Sequence, residues 1–109
     1  MWSVRYLPEA SGELQELPGG ERAAMLNAVE KLQALGEQLG FPHTSAVRGT
    51  DGLRELRPRS GRSPWRAFYR RIGDVLVIGA IGSEAQHDRR GFDRAVRQAE
   101  ERLSEVEED

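Results

Sequence analysis

Several kinds of residue and segment are scarce or missing in this chain of 109 residues. It has no cysteine, which excludes disulfide bridges and thiolate metal sites. Histidine occurs only twice, as His43 and His87, with no carboxylate nearby at metal-ligand spacing, so we expect no metal and no cofactor. The chain has no run of about 18 apolar residues, which excludes a helix that spans a membrane.

The first ten residues, MWSVRYLPEA, alternate between apolar and polar side chains. A secretory signal peptide needs a continuous apolar core, so we expect a cytoplasmic protein with no membrane partner. The length is typical of one domain, and we expect a single domain over residues 1–109. Residues 105–109 are four acids around Val106, and we expect this tail to fray.

The formal net charge of −2 is unevenly distributed. Residues 1–47 carry three basic and six acidic side chains, and residues 72–109 carry five basic and ten acidic ones. Between them, residues 48–71 carry eight arginines against Asp51 and Glu55, a local charge of +6. A block of this kind predicts an anion-binding surface on a chain that is otherwise acidic.

Periodicity and turn residues predict seven secondary-structure elements. The predicted strands are 2–7, two runs within 53–71, and 75–81, and the predicted helices are 9–17, 21–39 and 92–104. Residues 41–52 are interpreted as a connector, and we expect the first strand beside the last one or at an edge. The order β-α-α-β-β-β-α predicts an α+β fold, with a small antiparallel sheet, an N-terminal helical hairpin and a C-terminal helix.

Residues 53–71, LRELRPRSGRSPWRAFYRR, are interpreted as a β-hairpin. Two runs of apolar residues and arginines flank a turn that is rich in proline, glycine and serine. Seven of the fifteen arginines lie here, with aromatic residues between them. This pattern is typical of a surface that binds RNA phosphates and bases. It is equally typical of a half-buried strand with one solvated face, so both interpretations stay open.

Several of these segments together resemble toxins of the RelE/ParE superfamily, in particular its phage-derived, HigB-like branch. The segments are 2–6, 52–57, 65–69, 75–81 and 90–95. The most specific part is the pair Leu-x-Glu-Leu-Arg and Trp-Arg-x-Phe-Tyr at this spacing. The resemblance implies a small sheet with an N-terminal helical hairpin and a further C-terminal helix.

The resemblance also implies a function. Such toxins belong to type II toxin–antitoxin systems and are neutralised by an antitoxin, usually encoded beside them. RelE-like and HigB-like members enter the ribosomal A site and cut mRNA, as the RNA 2′-hydroxyl attacks the scissile phosphate. The expected function is a ribosome-dependent mRNA endonuclease, with the antitoxin, ribosome and mRNA as partners. The alternatives are a non-catalytic binder such as a ParE-like gyrase poison, and a degenerate toxin that only binds its antitoxin.

The candidate catalytic residues follow from the resemblance and from the chemistry of RNA cleavage. Arg57 and Arg66 match the family's strand arginines, and a guanidinium stabilises extra charge on a phosphate by bidentate contact. Many cutting members carry basic residues after the last strand and a tyrosine at the start of the final helix. In this chain the positions after the last strand hold Ser-Glu-Ala-Gln, residues 83–86, and the position at the start of the final helix holds Phe92. His87 is then the expected proton carrier.

Six further residues are expected to bind RNA by phosphate contact or base stacking. They are Arg54, Tyr69, Arg70, Arg71, Arg89 and Arg90. The last two follow His87 closely, so they can supply the positive charge that cutting members place after the last strand.

Overall fold

The structure is a computed structural model, and it describes residues 1–106. The strands are β1 (Ser3–Tyr6), β2 (Thr44–Ala46), β3 (Arg54–Leu56), β4 (Trp65–Ile72) and β5 (Val75–Ser83). The helices are α1 (Pro8–Glu16), α2 (Gly19–Leu35) and α3 (Arg89–Ser104), with short 3-10 turns at Gly36–Gln38 and Pro58–Gly61. The predicted α+β class is confirmed, with a helical hairpin before most of the sheet and a helix after it. No helix within the described residues combines the length and the apolar character needed to cross a membrane.

The five strands form one sheet in the order β1-β5-β4-β3-β2. The strands β3, β4 and β5 pair in antiparallel fashion, as predicted, and β2 also pairs antiparallel with β3. β1 instead pairs in parallel with β5, so the sheet is mixed rather than wholly antiparallel. The long connection between these two strands, through both helices of the hairpin, makes the parallel pairing possible, because a tight turn joins only antiparallel strands.

The short strand β2 lies within the segment that the sequence predicts as a connector. Three residues show too little alternation to be recognised from sequence. The strand forms because its backbone pairs with β3, in a register that sets Thr44 opposite Leu56. Thr44 is buried, and its hydroxyl oxygen lies 2.7 Å from that of Tyr69 on β4. β2 thereby completes the edge of the sheet beside the predicted hairpin.

The helical hairpin covers one face of the sheet. The buried stripe of α2 includes Met25, Val29 and Leu32, which pack with Leu56 and Ile78 of the sheet. These three helical residues are spaced three or four apart, so they lie on one side of the helix. The packing also holds α2 against the 3-10 turn that follows β3.

The helix α3 covers the opposite face. Its buried residues Ala95 and Leu103 pack in one cluster with Phe68 of β4. A Cβ atom at Gly82 of β5 would overlap the Ala95 side chain. The glycine therefore lets α3 approach the sheet closely. Both faces of the central strand β4 are covered as a result.

The helix α3 begins three residues earlier than predicted, at Arg89. The Asp88 carboxylate accepts a hydrogen bond from the Gly91 N–H (3.0 Å) and so caps the helix. At the other end, Val106 packs against the cluster beneath α3. The rest of the tail that was predicted to fray, residues 107–109, lies outside the described residues.

The second half of β5 has an open edge, because β1 pairs only with residues 75–78 of that strand. Two side chains close this edge. Glu13 of α1 accepts a hydrogen bond from the Ile81 N–H (3.0 Å), and Arg102 of α3 donates one to the Gly79 carbonyl (2.9 Å). Arg102 Nη2 also lies 3.1 Å from Glu13 Oε2. The ion pair, whose two charges cancel, therefore satisfies backbone groups that could otherwise pair with a strand of another molecule.

Candidate nucleic-acid interface

The loop between β3 and β4 has an unusual backbone. Arg59 and Ser60 have φ angles of 55° and 57°, and Gly61 follows with a φ of 92°. The left-handed region costs a residue other than glycine roughly 1–3 kcal/mol, so surrounding contacts must hold it. Two side chains supply most of these contacts, Glu21 from α2 and Arg66 from β4.

Glu21 holds the loop from the helix side. Its Oε2 accepts a hydrogen bond from Arg59 Nη1 (2.7 Å), and its Oε1 accepts one from the Ser63 hydroxyl (2.7 Å). Arg59 also donates to the Gly20 carbonyl at 3.2 Å. An acid near a helix N-terminus is favourable in itself, and this one also fastens the loop to α2.

Arg66 holds the loop from the sheet side, and it does so from a buried position. Its side chain is 3% exposed. The guanidinium donates to the carbonyls of Gly61 (3.2 Å), Ser63 (2.7 Å) and Trp65 (3.0 Å), and Nε donates to Glu55 Oε1 (3.0 Å). These four hydrogen bonds within the protein occupy most of its donors. The structure thus places Arg66 beneath the loop, with little surface on which a phosphate can bind.

Burial also acts on the charge of Arg66. Desolvation lowers the pKa of its guanidinium from the ordinary value, and the hydrogen bond to Glu55 acts in the opposite direction. The charge of Arg57 lowers this pKa further, whereas the charges of Glu55 and Glu84 raise it. An arginine in a protein keeps its proton at neutral pH, and Arg66 therefore keeps the positive charge with which it pairs with Glu55.

Glu55 serves two arginines at once. Besides Arg66, its Oε1 accepts a hydrogen bond from Arg57 Nη1 at 3.2 Å. Arg57 Nε donates to the Pro42 carbonyl at 3.0 Å, and the Arg57 side chain keeps 20% of its surface exposed. One carboxylate between two guanidiniums leaves an excess of positive charge. Of the two arginines, Arg57 is the one that reaches the surface.

A groove of about 250 Å³ opens between α2 and the loop, and we call it the cationic groove. Its basic or titratable lining residues are Lys31, His43, Arg57 and Arg59. The wall formed by α2 is otherwise made of small residues and Asn27, and no acidic residue of the described chain lines the groove. Arg59 is paired with Glu21, so Lys31 and Arg57 supply most of the positive charge that is available to a ligand. The arrangement suits a phosphate or another small anion.

Tyr69 lies in the core. Only 3% of its surface is exposed, and it packs in the cluster between the sheet and the helical hairpin. Its hydroxyl makes the 2.7 Å hydrogen bond with Thr44. In this position the ring offers no open face on which a base can stack.

The arginines at the end of the hairpin away from the loop lie near two other cavities. Arg54, Arg70 and Arg71 line a cavity of about 380 Å³, and Arg70 and Arg71 also line one of about 490 Å³. Arg71 pairs with Glu37 at 2.7 Å, and its guanidinium lies 5.3 Å from the centre of the Trp2 ring. Glu37 lines both cavities, so the local charge is mixed.

His87 is exposed and lines a fourth cavity, of about 430 Å³, at the start of α3. The charged residues around it are Glu13, Glu16, Asp88 and Arg94. Neither Arg57 nor Arg66 lines this cavity, so the structure does not bring the three predicted catalytic residues to one surface. Within residues 1–106, no three histidine or acidic side chains cluster closely enough to hold a metal ion.

Arg89 and Arg90 lie in the first turn of α3. Arg89 pairs with Asp93 at 3.2 Å, and its guanidinium lies 5.6 Å from the centre of the Phe92 ring. Phe92 in turn packs edge-to-face with Phe68, with ring centres 5.4 Å apart. Phe92, which stands where many cutting members have a tyrosine, therefore helps to dock the helix.

A family model named "Phage derived protein Gp49-like (DUF891)" matches residues 12–80. The matched segment runs from α1 into β5 and contains the whole hairpin, its loop and the cationic groove. The chain belongs to this Gp49-like family. His87, Arg89 and Arg90 lie outside the matched segment. A search of curated proteins found no match.

Solved structures are similar to this Gp49-like protein over most of its length. A mutant of the toxin RelE from E. coli, in the free state, has a TM-score of 0.61 and 16% identity over 88% of this chain and 95% of that one. The toxin–antitoxin complex RelBE2 from Mycobacterium tuberculosis has a TM-score of 0.57 and 26% identity over 77% and 92%. The chromosomal ParDE system from P. aeruginosa has a TM-score of 0.55 and 26% identity over 76% and 96%. With the family match, these structures identify the chain as a member of the RelE/ParE superfamily of toxins.

The predicted site lacks four residues of the candidate interface. They are Lys31, His43, Glu55 and Phe41, and the Phe41 ring lies beside Arg57. Lys31 is far from the hairpin in sequence, and only the packing of α2 brings it to Arg57. Glu55 did carry a signal, because it is the single acid within residues 53–71. A lone acid between arginines indicates an ion pair, and here it pairs with two of them.

Proposed function

We propose that this Gp49-like protein is the toxin of a type II toxin–antitoxin system and acts as a HigB-like, ribosome-dependent mRNA endonuclease. The similarity to RelE and RelBE2 supports a toxin with an antitoxin partner. The hairpin motifs that resemble those of cutting toxins support mRNA on the ribosome as the substrate. A ribosomal target in turn implies action in the cytoplasm.

The observation that carries the proposal is the position of Arg57 in the cationic groove. Nε and one Nη1 donor of Arg57 bond to Pro42 and Glu55, while Nη2 makes no hydrogen bond within residues 1–106. These contacts fix the guanidinium and leave donors for two phosphate oxygens. A prepositioned cation of this kind stabilises the charge that develops on a phosphate during cleavage.

In this mechanism Arg66 is a positioning residue. It bonds to Glu55, which bonds to Arg57, and it also holds the carbonyls of the strained loop. Its effect on the reaction therefore passes through the position of Arg57. Arg54, Arg70 and Arg71 are proposed to attract more distant phosphates of the RNA by their charge.

The reaction needs two proton transfers. The 2′-oxygen loses its proton as it attacks the phosphorus, and the departing 5′-oxygen gains one, which leaves a 2′,3′-cyclic phosphate and a 5′-hydroxyl. His43 lines the same groove as Arg57, whereas His87 lines a cavity with three acids. An imidazole can give and take protons near neutral pH. We therefore assign removal of the 2′-hydroxyl proton to His43, with His87 as the alternative that the sequence favours, and solvent water supplies the proton that the departing 5′-oxygen gains.

The test is single-turnover cleavage of mRNA on programmed ribosomes. Arg57→Ala should lower the cleavage rate by about 10²- to 10³-fold, the effect of losing one transition-state donor. Arg57→Lys should recover only part of the rate, since an ammonium cannot make the forked contact. His43→Ala should slow cleavage and change its pH dependence, and His87→Ala should do neither.

The matched control is Arg48→Ala, which removes an exposed arginine of the same basic block outside the cationic groove. It should leave the rate within a few-fold of wild type. Equal rates for Arg57→Ala and Arg48→Ala, in variants with wild-type unfolding curves, would contradict the assignment of Arg57.

A second candidate function is a non-catalytic binder, such as a gyrase poison. It is favoured by the similarity to the ParDE system, which has the same 26% identity as RelBE2. Wild-type protein that inhibits supercoiling by purified gyrase but does not cut mRNA on ribosomes would select this alternative.

A further inference from the structure

Phe41 is the most exposed aromatic side chain of the protein. Its surface is 75% accessible, and no other aromatic residue within residues 1–106 is among the exposed large apolar side chains. The other rings of the chain lie partly or wholly in the two apolar clusters. An aromatic ring left in water has an unused apolar face that a planar ligand can cover.

The ring of Phe41 is supported from one side. The Arg57 guanidinium carbon lies 5.1 Å from the ring centre. Arg57 is itself held by the Pro42 carbonyl and by Glu55, at 3.0 and 3.2 Å. A cation over an aromatic face is attracted by the ring's quadrupole. The contact therefore orients the ring, and its high exposure leaves the rest of the ring open to solvent.

Arg57 also joins this ring to the cationic groove. Its side chain contacts Phe41 and lines the groove with Lys31 and His43. An open aromatic face next to a positively charged groove is the arrangement that binds single-stranded nucleic acid, with a base on the ring and a phosphate in the groove. The nearby acids Glu21 and Glu55 are already paired with arginines.

We propose that Phe41, Arg57 and the cationic groove form a nucleotide-binding subsite for single-stranded RNA, in which one base stacks on Phe41 and an adjoining phosphate lies beside Arg57 and Lys31. This subsite rests on the proposed function, because it names the residue that holds the substrate next to the cleavage chemistry. An apolar side chain of a protein partner is the competing occupant. The charged surroundings favour RNA, since the groove next to the ring offers cations, and the apolar side chains on its α2 wall are all alanines.

The experiment measures binding of the full chain to a short, fluorescently labelled single-stranded RNA by anisotropy, at low salt. Phe41→Ala should weaken binding by about 5- to 150-fold, which corresponds to about 1–3 kcal/mol for one stacked base. Phe41→Trp should keep or increase the affinity. Phe41→Leu keeps an apolar side chain without a π face and should behave like Phe41→Ala.

The matched control is Leu26→Ala, which removes an exposed apolar side chain from α2 outside the groove. It should bind RNA like wild type. An RNA with one abasic position provides the complementary test. If Phe41 stacks on that base, removing the base should weaken wild type but should add little to the loss already caused by Phe41→Ala.

Three outcomes would overturn the subsite: wild-type protein that does not bind the RNA, Phe41→Ala that binds like wild type, or Phe41→Leu that binds like wild type. The last result would indicate an apolar contact of the kind that a protein partner makes. The cleavage test is independent of these results. Loss of RNA binding in Phe41→Ala without any ribosome-dependent cleavage by wild type would keep the subsite and reject the endonuclease.

Discussion

The hairpin loop and the open edge of β5 are both held by ion pairs between glutamate and arginine, but the two arrangements leave different net charges. At the edge, Glu13 and Arg102 pair one to one and bond to backbone groups of Ile81 and Gly79. At the loop, the single carboxylate of Glu55 is shared by Arg57 and Arg66. The edge is therefore closed and neutral, whereas the loop keeps an uncompensated cation at the surface.

The comparison separates the structural role of an arginine from a binding role. Arg102 and Arg66 both donate to backbone carbonyls and to a carboxylate. An arginine with such partners stabilises the fold, even where its neighbours in sequence are basic. Arg57 makes the same two kinds of contact, but its Nη2 makes no hydrogen bond within residues 1–106. Both Nη atoms of Arg66 and of Arg102, in contrast, donate to partners in the protein. Three predictions test this distinction, from the largest expected effect to the smallest.

The largest effect should come from Arg66→Ala. The substitution leaves the Glu55 carboxylate without one of its two arginines, and it removes the Arg66 donor from the carbonyls of Gly61, Ser63 and Trp65. Breaking a buried pair by removing one partner costs about 3–5 kcal/mol. Urea denaturation should therefore show a loss of that size in the free energy of unfolding.

Arg62→Ala is the control for this measurement, because it removes an exposed arginine from the same loop. Its free energy of unfolding should stay within about 0.5 kcal/mol of wild type, as for most surface changes. If Arg66→Ala were as mild as Arg62→Ala, Arg66 would not hold the loop, and the contrast with Arg57 would fail.

A smaller loss is expected at the edge of β5. Glu13→Ala removes the acceptor of the Ile81 N–H and the ionic partner of Arg102. Hydrogen bonds to charged groups contribute about 1.5–3 kcal/mol, and we expect a loss in that range. The open edge should also increase self-association, which sedimentation velocity measures.

Glu16→Ala serves as the control for the edge, since Glu16 is an exposed acid on the same helix. Neither stability nor self-association should change measurably. A Glu13→Ala protein that stays monomeric at wild-type stability would mean that the edge does not depend on this pair.

The smallest effects concern two tyrosines, one in the hairpin and one near the open edge of β5. Tyr69, in the hairpin strand β4, bonds to Thr44, whereas the buried hydroxyl of Tyr6, on β1 next to β5, has no partner within residues 1–106. Tyr69→Phe should cost about 0.5–1.5 kcal/mol, and Tyr6→Phe should be neutral or slightly stabilising. Urea denaturation of both variants at neutral pH tests the difference, and equal losses would contradict it.

The same pair of variants has a pH signature. Burial raises the pKa of Tyr6 above its ordinary value of 10.0, because the neutral phenol is favoured in the folded state. The resulting stability is complete below pH 10.0 and is lost as the pH rises through the folded-state pKa. Tyr6→Phe cannot undergo this loss. Its free energy of unfolding should therefore exceed that of wild type by more in alkaline buffer than at neutral pH.

Local patterns were sufficient for most of the fold. The apolar stripe of α2 and the apolar run of β5 correctly predicted two elements that build the core. The patterns missed β2, because three residues carry too little periodicity, and they could not assign the parallel direction of β1. Both depend on which strand lies alongside, and that partner is distant in sequence.

Less of the candidate site than of the fold could be predicted from the sequence. The arginine block and the hairpin were visible, but the alternation of residues in β4 cannot tell a solvated arginine from a buried one. Arg66 is buried because β4 is a central strand whose neighbours and helices cover it on all sides. Phe41 lies in a connector without periodicity, and its contact with Arg57 exists only in the folded chain.

The sequence by itself determined the order of all the helices and strands except β2, their apolar faces and the concentration of positive charge between residues 48 and 71. These properties depend on neighbours a few residues apart, so periodicity and composition are enough to predict them. The tertiary structure alone decided that Arg66 is buried and bonds to groups within the protein, whereas Arg57 reaches the surface with donors that make no hydrogen bond within residues 1–106. That choice depends on carbonyls, carboxylates and a ring that distant parts of the chain bring together, and no local pattern of residues records those distances.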